Sequence, residues 1–452
     1  MAKKLFGTDG IRGTAGQTPL DPRTVTALGM ALAEDLQHQK LAHLPVLIGM
    51  DTRESGPAIA AQLAHGLERG RNGAGVQVAC TGVLTTPGVA YLTRTGEYSA
   101  GVMISASHNP FEDNGIKVFA RTGFKLPDAE EHEIEEAIFR ILPDVEEPGR
   151  PDALTHECST RPYLDFLLST LSSDRPLAGL KIVMDCGNGA ASTLAPDLFR
   201  EAGAHVTAIG NEPNGRNINL NCGALHLENL RARVIESGAD AGVAFDGDAD
   251  RAMLIAPSGR VVDGDAMLLI AARRLQSDGH LPGNLVVSTV MSNLGLEKAL
   301  DRLGITMLRT PVGDKYVLEE MVRREAALGG EQSGHIIFRE YATTGDGMLT
   351  ALKVLETAAI AGDTLDALTA DLVVYPQLLV NVRVKERRPL DELPRVTEEI
   401  QACEAELDGS GRILVRYSGT EPLLRVMVEG LEHGQVRRLA DRVTVAIHDD
   451  LG

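Results

Sequence analysis

The stretch PVLIGMDTRESG, residues 45–56, decides the architecture. An apolar, β-rich run ends in a polar turn, and a helical pattern follows. That is the strand-turn-helix unit of an α/β layer. The pattern returns in KIVMDCGNGA (181–190) and NLVVSTVMSN (284–293). Their spacing predicts three related α/β domains in tandem. From DLVVYP (371–376) the composition changes. A strand (379–384), a helix (390–404), two strands (412–416 and 423–428) and a final helix read as a smaller unit. That last helix sets Val436, Leu439, Ala440, Val443 and Ile447 on one face. The expected fold class is α/β: three tandem α/β domains with mixed sheets plus a smaller C-terminal α+β domain. LPDVEEPGRPD (142–152) and the turn APSGR (256–260) read as linkers. The expected domains are 1–155, 156–256, 257–371 and 372–452.

Size and charge agree with this division. The chain has 452 residues, three or four domains at roughly 100–200 residues each. Aromatics are 4% and Trp is absent, so Leu, Val, Ile and Ala must build the cores. The formal net charge is −19, which disfavours nucleic acid and anionic membranes as partners. It leaves anionic small molecules open, because they respond to local cations. Five scattered Cys, with no paired CxxC, suit reduced thiols. MAKKLFGTDGIRG lacks the apolar core of a signal peptide. No window approaches the ~18 apolar residues of a spanning helix. A cytoplasmic protein is expected.

Four segments carry chemistry. AGVAFDGDADRAML (241–254) places Asp246, Asp248 and Asp250 at the end of an apolar strand. In extended chain, alternate residues share a side. Like charges this close raise one another's pKa values unless a counter-ion intervenes. A hard divalent cation such as Mg²⁺ beside a phosphate resolves the conflict; a solvated acidic turn has the same composition. An EF-hand is excluded by Arg251 and Pro257 at its glycine and glutamate positions. GVMISASHNP (101–110) puts Ser107 and His108 at a strand end, where a serine hydroxyl near a metal can accept and return a phosphoryl group. Lys117, nearby in NGIK, adds a cation, either a proton shuttle or a phosphate ligand.

RYSGTEPLLR (416–425) offers Arg416, Ser418, Gly419, Thr420 and Arg425, a mix of hydroxyls, amides and guanidinium groups suited to a phosphate dianion. An ordinary hairpin has a similar composition. GGEQSGH (329–335) sets Glu331, Ser333 and His335 in a Gly-bracketed loop able to read sugar hydroxyls. FGTDGIRG (6–13) holds Arg12 in a Gly-rich turn, and GMDTRESG (49–56) holds Arg53; either arginine could pair with a carboxylate. No Walker A loop is present, and CGNGAAS carries Ser192 where the dinucleotide fingerprint has its third Gly or Ala, and has no Lys.

This ordered set, from FGTDGIRG to RYSGTEPLLR, resembles the α-D-phosphohexomutase superfamily over nearly the whole chain. GEQSGH points to its amino-sugar branch, where phosphomannomutase/phosphoglucomutase relatives typically show Met instead of Gln. The resemblance implies interconversion of glucosamine 6-phosphate and glucosamine 1-phosphate on the route to UDP-N-acetylglucosamine. It implies one Mg²⁺ per chain, a phosphoserine at Ser107 and a sugar 1,6-bisphosphate intermediate and activator. Asp246, Asp248, Asp250 and the Ser107 phosphate would hold the metal. Glu331 and Ser333 would read the sugar, and Arg416, Ser418, Gly419, Thr420 and Arg425 would clamp the idle phosphate. Arg12, His108, Lys117 and His335 match positions near the reacting oxygens. The implied partner is a small amino-sugar phosphate, with a homodimer left open. Ala120 and Ala224-Leu225 depart from the usual residues of the superfamily, which touches local loop packing. The alternatives are phosphomannomutase/phosphoglucomutase activity, a Mg²⁺-dependent sugar phosphatase, and a non-catalytic sugar-phosphate sensor.

Overall fold

The computed structural model describes residues 5–451 except 8, 72, 147, 148, 150, 157 and 419–422. The chain forms two compact units, one of residues 1–290 and 308–369 and the other of 291–307 and 370–452.

The first unit contains three sheets. In the first, the strands run in the order Phe6–Gly7, Gly10–Thr14, Asp113–Ala120, Ala100–Ile104, Val46–Met50 and Val78–Val83. Val46–Met50 is parallel to both of its neighbours, while Ala100–Ile104 and Asp113–Ala120 are antiparallel, so the sheet is mixed. VLIGM and AGVMI are buried at every position. Covered on both faces, such strands read as continuous apolar runs instead of alternating ones.

The helices Pro22–His38 and Gly56–Arg69 cross in close contact on this sheet. Asp21 caps the first, its carboxylate accepting from the Thr24 N–H at 3.1 Å. A Cβ at Gly66 would lie 2.2 Å from the Thr26 carbonyl oxygen, and one at Gly29 would lie 2.3 Å from that of Leu63. The crossing therefore requires both glycines.

The second sheet runs Val261–Val262, Ala252–Ile255, Ala241–Phe245, Lys181–Asp185 and His205–Ile209, and the third includes Leu285–Thr289, Leu328–Gly330 and Ile336–Phe338. Both mix parallel and antiparallel pairs. Each of the three strand-turn-helix segments begins with a strand as expected. The turn 256–260 joins two strands of the second sheet. It closes a hairpin between Ala252–Ile255 and Val261–Val262, with the Ala256 N–H donating to the Arg260 carbonyl at 2.9 Å. Pro257, Ser258 and Gly259 there signal a reverse turn, which composition cannot distinguish from a linker.

The second unit holds an antiparallel sheet ordered Gln377–Arg383, Leu423–Glu429 and Arg412–Tyr417, backed by helices Pro394–Leu407 and His433–Leu451. Val436, Leu439, Ala440, Val443 and Ile447 are all buried, as their spacing predicts. Among the described residues no helix is long and apolar enough to cross a membrane. Cys80, Cys158, Cys186, Cys222 and Cys403 are free thiols.

Candidate active site

The aspartate trio follows strand Ala241–Phe245 in a tight turn. The carboxylates converge because Ala249 takes a left-handed φ of 54°, not because the chain stays extended. One oxygen from each carboxylate lies within 4.8 Å of the others, and all three residues are buried.

Ser107 meets this trio directly. Its turn follows strand Ala100–Ile104, and Ser107 itself has φ 52°, unusual for a side chain with a Cβ. Its Oγ donates to Asp246 Oδ2 at 2.6 Å and lies 3.3 Å from His108 Nδ1. The backbone beneath is tied down by buried polar groups. The Ser107 N–H donates to Ser105 Oγ at 2.9 Å, and Ser105 Oγ donates to Asp51 Oδ2 at 2.6 Å. Asp51 pairs with the fully buried Arg53, so this arginine does find a carboxylate.

Lys117 crosses from the neighbouring strand Asp113–Ala120. Its buried Nζ lies 2.9 Å from Asp248, 3.2 Å from Asp250 and 3.1 Å from Asp9. Burial alone would lower its pKa, but Asp248, Asp9 and Asp250 together raise it well above the usual lysine value. Lys117 is thus an ammonium in this arrangement. For Asp246, burial, then Asp250 and Asp248, outweigh the opposing pull of Arg251 and push it well above the usual carboxylate range. Asp250 goes the other way: burial raises it, but Lys117 foremost holds it well below that range. Burial, then the cations Arg251 and Arg12, lower His108 to about 4, leaving the imidazole neutral near pH 7.

Arg12, His335 and Glu331 line a cleft of about 350 Å³ together with Asp9, Asp250 and Arg251. Arg12 pairs with Asp9 at 2.5 Å. His335 Nε2 accepts from the Gly345 N–H at 2.9 Å, which leaves Nδ1 to face Asp250 Oδ1 at 3.6 Å. Glu331 Oε1 accepts from the Gly313 N–H at 3.1 Å. Ser333 stands on the exposed side of the same loop.

In the second unit, Arg416 and Arg425 are directly opposite on paired strands. Like charges there are unfavourable unless an anion compensates. Burial, then Arg425, lowers the pKa of Arg416. Arg425 Nη2 donates to Ser418 Oγ at 3.3 Å. Gly419 and Thr420 lie outside the described residues.

The trio fits a hard divalent cation. Asp248 Oδ1 and Asp250 Oδ1 are buried with no hydrogen-bond partner, a costly state unless a ligand takes them up. Thr86 Oγ1 orients Asp248 by donating to Oδ2 at 2.5 Å, and the Arg251 N–H donates to Asp246 Oδ1 at 3.2 Å. Thr86, Asp9 and Asp51 escaped the sequence reading. Asp9 stood inside the quoted FGTDGIRG turn, whereas Thr86 carries no local signal.

The fold and this site correspond to a known set of domains. Profiles of the phosphoglucomutase/phosphomannomutase family match in chain order: α/β/α domain I over 3–144, domain II over 161–259, domain III over 263–375 and the C-terminal domain over 379–446. The chain belongs to the phosphoglucomutase/phosphomannomutase family. Within it, the chain is 60% identical over 455 residues to the phosphoglucosamine mutase of Solibacter usitatus, covering 100% of both. It is 50% identical over 458 residues to that of Koribacter versatilis, covering 100% of this chain and 98% of the other. The fold also matches Aspergillus fumigatus N-acetylphosphoglucosamine mutase, solved in complex with GlcNAc-6P and magnesium. That match has a TM-score of 0.63 at 19% identity over 99% and 96% of the two chains.

Proposed function

We propose that this chain interconverts glucosamine 6-phosphate and glucosamine 1-phosphate, through a phosphoserine at Ser107 and a sugar 1,6-bisphosphate, for UDP-N-acetylglucosamine synthesis in the cytoplasm. The observation that carries the reading is the 2.6 Å hydrogen bond from Ser107 Oγ to Asp246, which joins the phosphoryl carrier to the carboxylate trio. The full-length likeness to phosphoglucosamine mutases supports the amino-sugar substrate. The net charge of −19 supports a small-molecule partner over nucleic acid or an anionic membrane.

Phosphoryl transfer is largely a matter of positioning and charge stabilisation. In the proposed cycle the bond from phosphorus to Ser107 Oγ breaks as one forms to the 1- or 6-hydroxyl of the sugar. The hydroxyl proton passes to a site base and ends on Ser107 Oγ. His108, whose Nδ1 lies 3.3 Å from that oxygen, and Lys117, beside the trio, are the two side chains proposed for this base. The bisphosphate then turns and returns its other phosphoryl group to Ser107. Asp246, Asp248 and Asp250 would hold one Mg²⁺, which when bound draws charge from the phosphoryl oxygens. Arg12 and Arg251 supply positive charge at the cleft, His335 and Glu331 face the sugar with Ser333 beside them, and Lys117 balances Asp248 and Asp250. Arg416, Ser418 and Arg425, with Gly419 and Thr420, would hold the idle phosphate.

Side-by-side kcat/KM values for glucosamine, glucose and mannose 1-phosphates test the reading. A clear preference for the amino sugar is expected; preference for mannose or glucose 1-phosphate would replace it with phosphomannomutase/phosphoglucomutase activity.

A further inference from the structure

The backbone carbonyl of Ser107 is held from three sides. The guanidinium of Arg53 donates from Nη2 at 3.2 Å, and the side-chain amide of Asn219 donates from Nδ2 at 2.9 Å. On the third side lies Gly247, between two of the trio; a Cβ there would come within 2.5 Å of this carbonyl oxygen. The same donors reach the next carbonyl but one: Asn109 O accepts from Arg53 at 2.5 Å and from Asn219 at 3.2 Å. The two donors thus bracket the turn that carries the hydroxyl.

The bracketed turn is strained. Ser107 has φ 52°, a conformation that survives only where its surroundings over-determine it. Arg53 is 1% exposed and anchored by Asp51, so its fork is rigid. Asn219 comes from a segment remote in sequence, NINLNCG, and is itself fixed at φ 57° with its N–H donating to the Gly187 carbonyl at 2.8 Å.

We propose that Asn219, together with Arg53, is a positioning residue for the phosphoryl carrier: by holding the Ser107 carbonyl against Gly247 it fixes the hydroxyl in line with the aspartate trio. The inference rests on the phosphoserine reading above. It adds that the register between the serine turn and the carboxylate turn is set by two side chains that touch neither substrate nor reacting oxygen. A displacement of about 1 Å at a reacting group is enough to cost roughly 100-fold in rate.

Asn219→Gly is the decisive variant, because glycine adopts φ 57° without strain and only the amide is lost. Asn219→Asp, of the same shape, replaces the donor with an acceptor facing two carbonyls. Both are assayed in the full chain with glucosamine 1-phosphate and glucose 1,6-bisphosphate. Thermal midpoints and the rate of Ser107 phosphorylation by the bisphosphate, read by mass spectrometry, accompany the assay. The expected result for both is a fall in kcat of about 10- to 100-fold and slower Ser107 loading, with KM within about twofold of wild type. A midpoint shift with kcat and loading unchanged would mean a structural contact only, and would overturn the proposal. Should Asn219→Asp fail to fold, Asn219→Gly alone decides. Wild-type protein that neither turns over nor loads Ser107 would instead sink the phosphoserine reading.

Discussion

Lys117 Nζ lies 2.9 Å from Asp248 Oδ2 with both side chains buried, so the carboxylate trio is partly neutralised from within the chain. The pair joins a strand of the first sheet to the aspartate turn of the second. Removing the ammonium alone leaves Asp9, Asp248 and Asp250 facing one another. Breaking a buried pair this way costs about 3–5 kcal/mol. Lys117→Met should therefore lose that much stability in urea unfolding with chelator present. An unchanged midpoint and slope would show that these carboxylates do not depend on Lys117.

Divalent cations should act on the same carboxylates. Asp248 Oδ1 and Asp250 Oδ1 have no hydrogen-bond partner, so Mg²⁺ binding should stabilise the fold. At a concentration 100 times its dissociation constant a ligand adds about 2.7 kcal/mol. The thermal midpoint of wild type should rise with Mg²⁺ and fall back with chelator. Asp250→Asn should lose most of that response. The same Mg²⁺ shift in wild type and variant would place the cation elsewhere.

The fold was legible wherever burial wrote itself into local composition. VLIGM and AGVMI are apolar throughout because both faces are covered, and the heptad-like face of the last helix reads directly. The aspartate trio was legible as a cluster, although its convergence comes from a turn at Ala249 and not from strand alternation. Thr86, Asp9 and Asn219 were not recognised. Thr86 lies 162 residues from Asp248, and Asn219 lies 112 from Ser107, so only tertiary pairing reveals them. The hairpin at 256–260 was not foreseen, because a turn between paired strands and a linker use the same residues.

A pH effect on stability should arise away from the site. Burial, then the nearby Glu130, raises Asp35 to about 6. The folded protein therefore holds this proton more tightly than the unfolded chain does. Stability from this group is full below the ordinary aspartate value and is lost as pH rises to about 6. Asp35→Asn should gain about 1 kcal/mol at pH 7.5, less than the full shift because water screens a half-exposed group, and almost nothing at pH 4. Urea titrations at the two pH values check this; an equal gain at both would refute it.

Arg425 stands opposite Arg416 and donates to Ser418 Oγ. A charge-assisted hydrogen bond to phosphate contributes roughly 1.5–3 kcal/mol. Arg425→Ala should raise KM for glucosamine 1-phosphate about tenfold or more. Steady-state kinetics give the answer, and an unchanged KM would remove this residue from the phosphate clamp.

The most direct test of the whole account is the mutase rate of Ser107→Ala with glucosamine 1-phosphate, Mg²⁺ and a bisphosphate activator. With no oxygen to carry the phosphoryl group, turnover should fall to the assay background while the protein stays folded. Turnover close to wild type would contradict the account.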